Sequence, residues 1–480
     1  MLAWLAADAT GTDRWIQFSD TVGMPLTDII AKGLPVLCVE TIDSEEPTCD
    51  YVSAPPGCMG MTITNATKVP GRLVIYRQLQ GTDSLIYDSG DYENNVSGMT
   101  IKIRGNTSAY ADKKPYKIKL QRKCDLLMRG DDNKYKDKDW LLLKDPYLLT
   151  LAGFTISQML GMTWTPAHAY VNVVINGEYR GVYLLCESVK RNPDCRIDVD
   201  KATGYIFECD PYWWNEDVYV CSITSPSYNF TFKYPDSDDV LPEQQDYLQR
   251  VVAAYERSLS ASDYPDLIDV PSWARWCLAH DVCGTKDSGG ANRYYSKRDS
   301  TDSSRVVMPV LWDFDMAERT SSDWSWCHTE HFAKLFSNAN RAFVDEYVWQ
   351  WRRVRGSLED DMYSAMTDFR RSDQGKALES SYDLEAMRWG GYSPSLLSQV
   401  YVHIRWCTSR RAWLDDAIDA LNPVGDVNVD GKVEIQDVTL LIDMLLGSGG
   451  PVYHAADVNG DGTASIADVS MLIDLLLSQG

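Results

Sequence analysis

The sequence predicts an α+β body followed by a small all-α metal-binding module, and three observations carry that reading. Strand-like segments fill the chain from Leu34 to Asp210. Helical segments take over after Asp239, and the last 55 residues contain one twelve-residue loop written twice. An antiparallel-sheet half followed by a helical half reads as a body of two lobes.

The strands come first. LPVLCVET, RLVIYRQL, GMTIKIRG, PYKIKLQR, DWLLLKD, YVNVVING, YRGVYLLCE and GYIFECD each join β-branched and aromatic residues between turn signals. LLTLAGFTISQMLGM, from Leu148 to Met162, predicts a helix that interrupts them. After Asp239, EQQDYLQRVVAAYERSLSA and PSWARWCLAHDVC read as helices, and a Trp- and Arg-rich stretch continues to Ala420. NPVG, Asn422 to Gly425, is the natural linker. The expected division is an N-terminal segment (1–33), the body (34–421), the linker (422–425) and the module (426–480).

The twin loops read DVNVDGKVEIQD from Asp426 and DVNGDGTASIAD from Asp457, and the register repeats after 31 residues. Oxygen side chains fall at positions 1, 3, 5, 9 and 12 of both copies. Gly431 and Gly462 stand at position 6, where the chain must turn sharply, and position 7 offers a backbone carbonyl. A hard cation needs that donor set. The stretches that follow, DVTLLIDMLLG and DVSMLIDLLLS, carry apolar residues at three- and four-residue spacing and predict helices. SGGPVYHAA between them is too short and Gly/Pro-rich for an entering helix, and position 12 is Asp rather than the Glu of an EF-hand.

Paired loop–helix units of this kind resemble a type I dockerin, the module that plugs an extracellular bacterial protein into a cohesin-bearing scaffold protein. The resemblance implies two bound Ca²⁺ ions. Asp426, Asn428, Asp430, Glu434, Asp437 and the Lys432 carbonyl would hold one; Asp457, Asn459, Asp461, Ser465, Asp468 and the Thr463 carbonyl would hold the other. Metal should be needed for folding, because nine acids and one lysine cannot close up unneutralised. Positions 10 and 11, Ile435-Gln436 and Ile466-Ala467, depart from the small hydroxyl residues of many dockerins. A cohesin preference is therefore not carried over, and packing of the module against its own chain stays open.

Composition narrows the classes. A formal charge of −23 argues against nucleic acid, whose phosphates need clustered Lys and Arg. No run approaches the ~18 apolar residues of a membrane span. MLAWLAADA reads as the end of a signal peptide or as a start codon placed too late; a dockerin favours the former and an extracellular or cell-surface address. Twelve cysteines make no disulfide scaffold. Cys49 with Cys58 and Cys209 with Cys221 bracket short loops, and either pair fits an oxidised bridge or two buried thiols. Cys327, His328 and His331 fit no zinc spacing.

IRGNTS (Ile103–Ser108), KKPYKIKL (Lys113–Leu120), KDWLLLKDP, VNVVINGEYRGVYLLCESVK and VLWDFDMA stand in the order expected of the spore-coat protein H (CotH) family, which the chain resembles from Leu34 to Leu421. The resemblance implies an atypical protein-kinase-like fold and transfer of the γ-phosphate of ATP to Ser of a protein substrate, which the sequence does not identify. Phosphoryl transfer needs a carboxylate to orient the attacking hydroxyl, oxygens for Mg²⁺ and cations on the phosphates. Asp287 lies five residues before Asn292, and Asp313-Phe314-Asp315 follows a strand-like pair, the order of a kinase catalytic loop and metal-binding Asp. Asp287 is thus the expected catalytic residue. Asn292 and Asp313 are the expected Mg²⁺ ligands, with Asp315 as helper. Gly289 replaces a family His, and Thr150 a family Arg.

At the phosphate end, Arg104, Asn106 and Ser108 lie in a loop between two strands, where side chains and backbone N–H groups can cover phosphates. Lys117 and Lys119 share one strand face, with Lys117 preferred as the phosphate cation. Glu187 is expected at the adenine or paired with a Lys. Two rivals remain: a carbohydrate-active or carbohydrate-binding component using some of the 16 tryptophans, and a catalytically silent adhesion protein with kinase-like lobes.

Overall fold

The structure, a computed structural model, describes residues 12–130, 133–145, 147–225, 227–286, 292–391, 395–448 and 454–478. The chain forms two compact units, the first from Met1–Leu151, Pro166–Arg196 and Ser364–Val402, the second from Ala152–Thr165, Ile197–Tyr363 and His403–Gly480. No described helix is long and apolar enough to cross a membrane.

The first unit is built on a ten-stranded sheet in which seven strands close into a barrel. Around the ring they run Asp137–Leu143, Tyr116–Cys124, Met99–Ile103, Val69–Leu79, Val36–Thr41, His168–Ile175 and Glu178–Glu187, which returns to Asp137–Leu143 through the antiparallel pairs Trp140–Glu187 and Leu143–Leu184. The sequence predicts an antiparallel-sheet lobe and says nothing of closure. Closure removes two exposed sheet edges, and the ring also contains one parallel pairing, Val36–Thr41 beside His168–Ile175.

Side-chain alternation fills the barrel. Leu37, Leu73, Ile75, Ile101, Ile118, Trp140, Leu142, Val173, Tyr183 and Leu185 form one buried cluster, with Trp140 wholly enclosed. Val36, Cys38, Val74, Tyr76 and Val174 face the other way and are buried under the short helix Leu26–Ile30 and Leu384 of the helix Asp373–Trp389. That later helix is fixed through Glu385, which accepts from the Val182 N–H at 2.7 Å and pairs with Lys113 at 2.5 Å. A C-terminal segment therefore completes the sheet unit, which departs from a simple sheet-then-helix order.

The second unit carries its own antiparallel sheet, ordered Tyr219–Val220, Asn229–Tyr234, Tyr205–Asp210, Arg293–Lys297 and Val306–Val307. The helix Val270–Cys283 is buried beside it. Asp269 accepts from the Ser272 N–H to start this helix, and Gly284, at φ 59°, ends it. Trp273 and Trp276 on the helix donate to the carbonyls of Val306 (2.9 Å) and Val310 (3.2 Å). The helices Ile435–Leu445 and Ile466–Ser478 belong to the same unit and share a small core of Val427, Val438, Leu441, Val458, Val469 and Leu472.

Candidate functional site

In the first unit, Ile103 ends its strand and the chain turns through Gly105, at φ 85°, into a short 3₁₀ turn, Thr107–Tyr110. The Arg104 N–H donates to the Pro115 carbonyl and Thr62 donates to Asn106 Oδ1, so the loop has a fixed shape. Cations reach its carbonyls: Lys144 donates to Ser108 O at 3.0 Å and Lys114 to Ala109 O at 2.9 Å. Lys114 and Lys144 thus lie against this loop, with Arg104 at its root.

Lys117 alternates with the inward-facing Ile118, as read from the sequence, but its amine is engaged. It lies 2.9 Å from Asp139 Oδ1, and the other Asp139 oxygen takes Lys190 at 2.6 Å. Lys190 also meets Asp137 at 3.0 Å. Burial alone would raise the Asp139 carboxyl, yet Lys117 and Lys190 outweigh it and hold its pKa well below the usual carboxylate range. Glu187 corrects an expectation, because it pairs with arginines and not with a lysine: Arg129 at 2.9 Å and Arg196 at 3.8 Å, plus the Ala167 N–H at 3.0 Å. Sequence reasoning missed Asp137, Asp139, Lys190 and Arg196. The available signal was the D-x-D at the head of a strand, which puts two acids on one face.

Thr150 stands where the resemblance expects Arg, and its N–H opens a helix onto Asp145. Asp145 accepts the Thr150 N–H at 2.9 Å and the Tyr170 hydroxyl at 2.6 Å. Its charge is thus met by the first turn of a helix and a buried phenol.

In the second unit, Asp287 and Gly289 lie outside the described residues. Their flank does not. The Lys286 N–H donates to Met316 O at 3.3 Å, the Glu318 N–H donates to Cys283 O at 2.8 Å, and beyond Asn292 the rings of Tyr294 and Trp312 meet at 6.3 Å. The segment holding Asn292 is therefore bound to the segment holding Asp313 on both sides. Both residues are left-handed, at φ 60° and 61°, a conformation Asn and Asp tolerate better than most. Asp313 is half-buried, Asp315 is exposed, and Phe314 between them is buried edge-on against Phe154. Gly153 lets that ring approach, since a Cβ there would lie 2.2 Å from it.

Beneath this lies a buried carboxylate. Asp281 accepts from His328 Nε2 and the Tyr347 hydroxyl, each at 2.7 Å, and from the Ser325 N–H at 3.0 Å. Arg410 donates to the carbonyls of Asp281, Thr320 and Asp323. His328 is thus a partner of Asp281, which accounts for the failure of the Cys327-His328 spacing to read as zinc. Among the described residues no three or more His, Cys, Asp or Glu side chains are gathered as a ready metal cage. Mg²⁺ does not require one, because it is held by one or two carboxylates together with substrate phosphates. Asn292 and Asp313 carry the amide and carboxylate oxygens that such a site uses.

The twin loops repeat their hydrogen bonds. Asp426 accepts from Asp430 N–H and Gly431 N–H, as Asp457 does from Asp461 and Gly462. Asn428 and Asn459 each accept the N–H two residues on. Asp437 and Asp468 reach back from position 12 to Asn428 N–H and Asn459 N–H, and each also accepts the N–H three residues earlier. Lys432 and Thr463 hold position 7 by donating their N–H to Asp430 and Asp461, while Glu434 and Ser465 precede the helices. Asp426, Asp437 and Asp468 are fully buried. Burial raises the Asp426 carboxyl, and the charges of Asp437 and Asp430 add to that. Several buried like charges met only by neutral N–H and hydroxyl donors, among them the Ser465 hydroxyl on Asp468 at 3.0 Å, fit a divalent cation.

The module is also tied to the body of its own unit. Asp345, on the helix Ala342–Val354, accepts the N–H groups of His454 (2.7 Å) and Ala455 (2.9 Å). Glu346 meets His454 Nε2 at 3.0 Å, and Trp349 stacks on the imidazole at 4.2 Å. Packing against its own chain, left open by the sequence, is therefore found. It engages Trp349, while Trp140, Trp273, Trp276 and Trp351 are core. Ile435 and Ile466, at position 10 of each loop, remain exposed.

With this geometry in view, the chain compares with known families as follows. The CotH kinase protein family model matches residues 101–369, and the Dockerin type I domain model matches residues 424–477. No curated protein matches the chain.

Proposed function

Because the chain belongs to the CotH kinase protein family and ends in a type I dockerin domain, we propose that it is an extracellular, scaffold-docked kinase that transfers the γ-phosphate of ATP to serine hydroxyls of a protein. The observation that carries this reading is the double contact around Asn292 and Asp313, through Lys286 with Met316 and Tyr294 with Trp312. It supports the reading because the residues flanking the Asp-x₄-Asn interval, Lys286 and Tyr294, contact those flanking the Asp-Phe-Asp turn, as phosphoryl transfer would need.

In this mechanism Asp287 orients the substrate hydroxyl and accepts its proton. Asn292 and Asp313 would hold Mg²⁺, with Asp315 at the rim, and the ion would supply charge neutralisation at the phosphate oxygens during γ-phosphoryl transfer. Within the first unit, Arg104, Asn106 and Ser108 are the residues proposed to contact phosphate, and Lys117 only on release of Asp139. Glu187 serves as a structural anchor for Arg129 and Arg196. The Ca²⁺ ions are structural, one in each twin loop, and the folded module is what a cohesin would grip.

Mg²⁺-dependent thermal stabilisation by ATP, together with phosphate incorporation from γ-labelled ATP into serine, tests the reading. Both should vanish in Asp313→Ala while the far-ultraviolet spectrum is kept. An unchanged melting temperature at millimolar Mg²⁺ and ATP would overturn the kinase assignment in favour of the silent kinase-fold reading.

A further inference from the structure

We propose that Cys277 and Cys327 form a disulfide that ties together the two ends of the segment carrying Asn292, Asp313 and Asp315. The placement follows from the helix Val270–Cys283. Cys277 and Asp281 lie four residues apart and so share one stripe of that helix. The turn that contains Cys327 is bound to this stripe on both sides of the cysteine, by the Ser325 N–H (3.0 Å) and His328 Nε2 (2.7 Å), both on Asp281. Cys327 is thereby seated beside Cys277. Both side chains are fully enclosed, and the two thiols are hydrogen-bonded to each other.

Aromatic stacking holds the neighbouring elements together. Trp276 stacks on Phe332 at 5.3 Å and Trp273 on His331 at 6.2 Å, which fixes the helix that follows Cys327 against the same stripe. A hydrogen-bonded thiol pair is the arrangement from which an S–S bond of roughly 2.05 Å forms. Neither of the pairs suggested by sequence spacing is enclosed like this: Cys49 and Cys58 are both half-exposed. Cys209 is buried with its sulfur accepting from Arg293 at 2.8 Å, while Cys221 is exposed.

An extracellular address, which the dockerin domain implies, is one in which such bonds form and persist. Two S–H bonds break and one S–S bond forms. The two thiols are oxidised, two protons go to solvent, and two electrons pass to the disulfide of a thiol–disulfide oxidoreductase, which takes up two protons and ends as a dithiol. Oxidation occurs while the chain folds, because the folded unit encloses both sulfurs. The consequence is a covalent clamp across a loop of about 50 residues, a size at which a cross-link removes much chain entropy from the unfolded state.

The test uses the full-length chain recovered from an oxidising secretory compartment, unfolded and alkylated with iodoacetamide without reduction, then digested. A peptide pair joined through Cys277 and Cys327, lighter by two hydrogens than the sum of its halves, is expected. Reduction should lower the melting temperature of this protein by roughly 5 °C, and should not do so in the Cys277→Ser, Cys327→Ser double variant. Recovery of both cysteines as separate alkylated peptides would overturn the proposal, as would equal reductant sensitivity of the double variant. Neither result depends on whether the protein phosphorylates anything.

Discussion

Replacing Asp139 by asparagine isolates what holds the rim of the barrel. The carboxylate takes Lys190 at 2.6 Å and Lys117 at 2.9 Å. At an effective dielectric constant of 20, each contact is worth about 6 kcal/mol before desolvation. Removing two charges from water returns several kcal/mol per ion, so most of that is cancelled. Lys117 is 36% exposed, and its share is discounted to about 0.5–1 kcal/mol. Lys190 is somewhat better enclosed and also bonds Asp137, which leaves about 1.5–2 kcal/mol for its pair with Asp139. Asp139→Asn should therefore cost about 2–3 kcal/mol in urea unfolding at pH 7.5. Acid gives the second measurement. The folded-state pKa of Asp139 lies below its unfolded value of about 3.9, so its contribution is complete above that value and is lost as the pH falls through the folded one. The wild-type advantage should hold at pH 5 and shrink below pH 4. A difference under about 0.5 kcal/mol at pH 7.5, or one that does not shrink in acid, would refute this account. Lys117→Met is the companion, since Asp139 keeps Lys190: it should cost under about 1 kcal/mol but weaken ATP stabilisation.

Other perturbations reach the remaining parts of the molecule. Gly153→Ala drives a methyl into the buried Phe314 ring and should cost about 2 kcal/mol, with a reduced ATP-induced melting shift because Asp313 precedes that ring; calorimetry reads both, and an unchanged melting temperature contradicts the packing. Chelation of Ca²⁺ should unfold the helices Ile435–Leu445 and Ile466–Ser478, lowering helical circular dichroism and abolishing cohesin capture, with both restored by Ca²⁺. The His454 contact should loosen as pH rises. Burial lowers the His454 pKa, but the hydrogen bond and charges of Glu346 and Asp345 outweigh it and set it above the ordinary value. Its stabilisation is thus full below about pH 6.5 and lost above the folded value, by about 0.5 kcal/mol for so exposed a ring. Hydrogen exchange at Ala455 between pH 5.5 and 8.5, corrected for intrinsic rates, should show the loss, and equal protection at both ends would refute it.

How legible each part was depends on the distance over which its physics acts. The twin loops were readable because every donor and turn lies within twelve residues, and both copies fold into the same hydrogen bonds, from Asp426 to Gly431 and from Asp457 to Gly462. The barrel strands were readable for the same reason, since alternation such as Lys117-Ile118-Lys119 is local. Closure was not. Trp140 pairing with Glu187 joins strands far apart in sequence, and an open sheet would show the same alternation. Glu187 illustrates the cost of this gap. As the last residue of a strand it looks available to a nucleotide or a lysine, but closure sets it beside Arg129 and Arg196, where a buried carboxylate must be neutralised. Asp345 illustrates the same gap at the dockerin. It sits in a Trp- and Arg-rich helix and reads as one more surface acid, yet it receives two N–H groups from a segment more than a hundred residues later. That contact bears on function, because a module fastened by Asp345, Glu346 and Trp349 offers its exposed faces, with Ile435 and Ile466, in a fixed direction from the helix that bears it. The Asn422 carbonyl, just before the module, accepts from Arg352 at 2.7 Å, which also fastens this attachment.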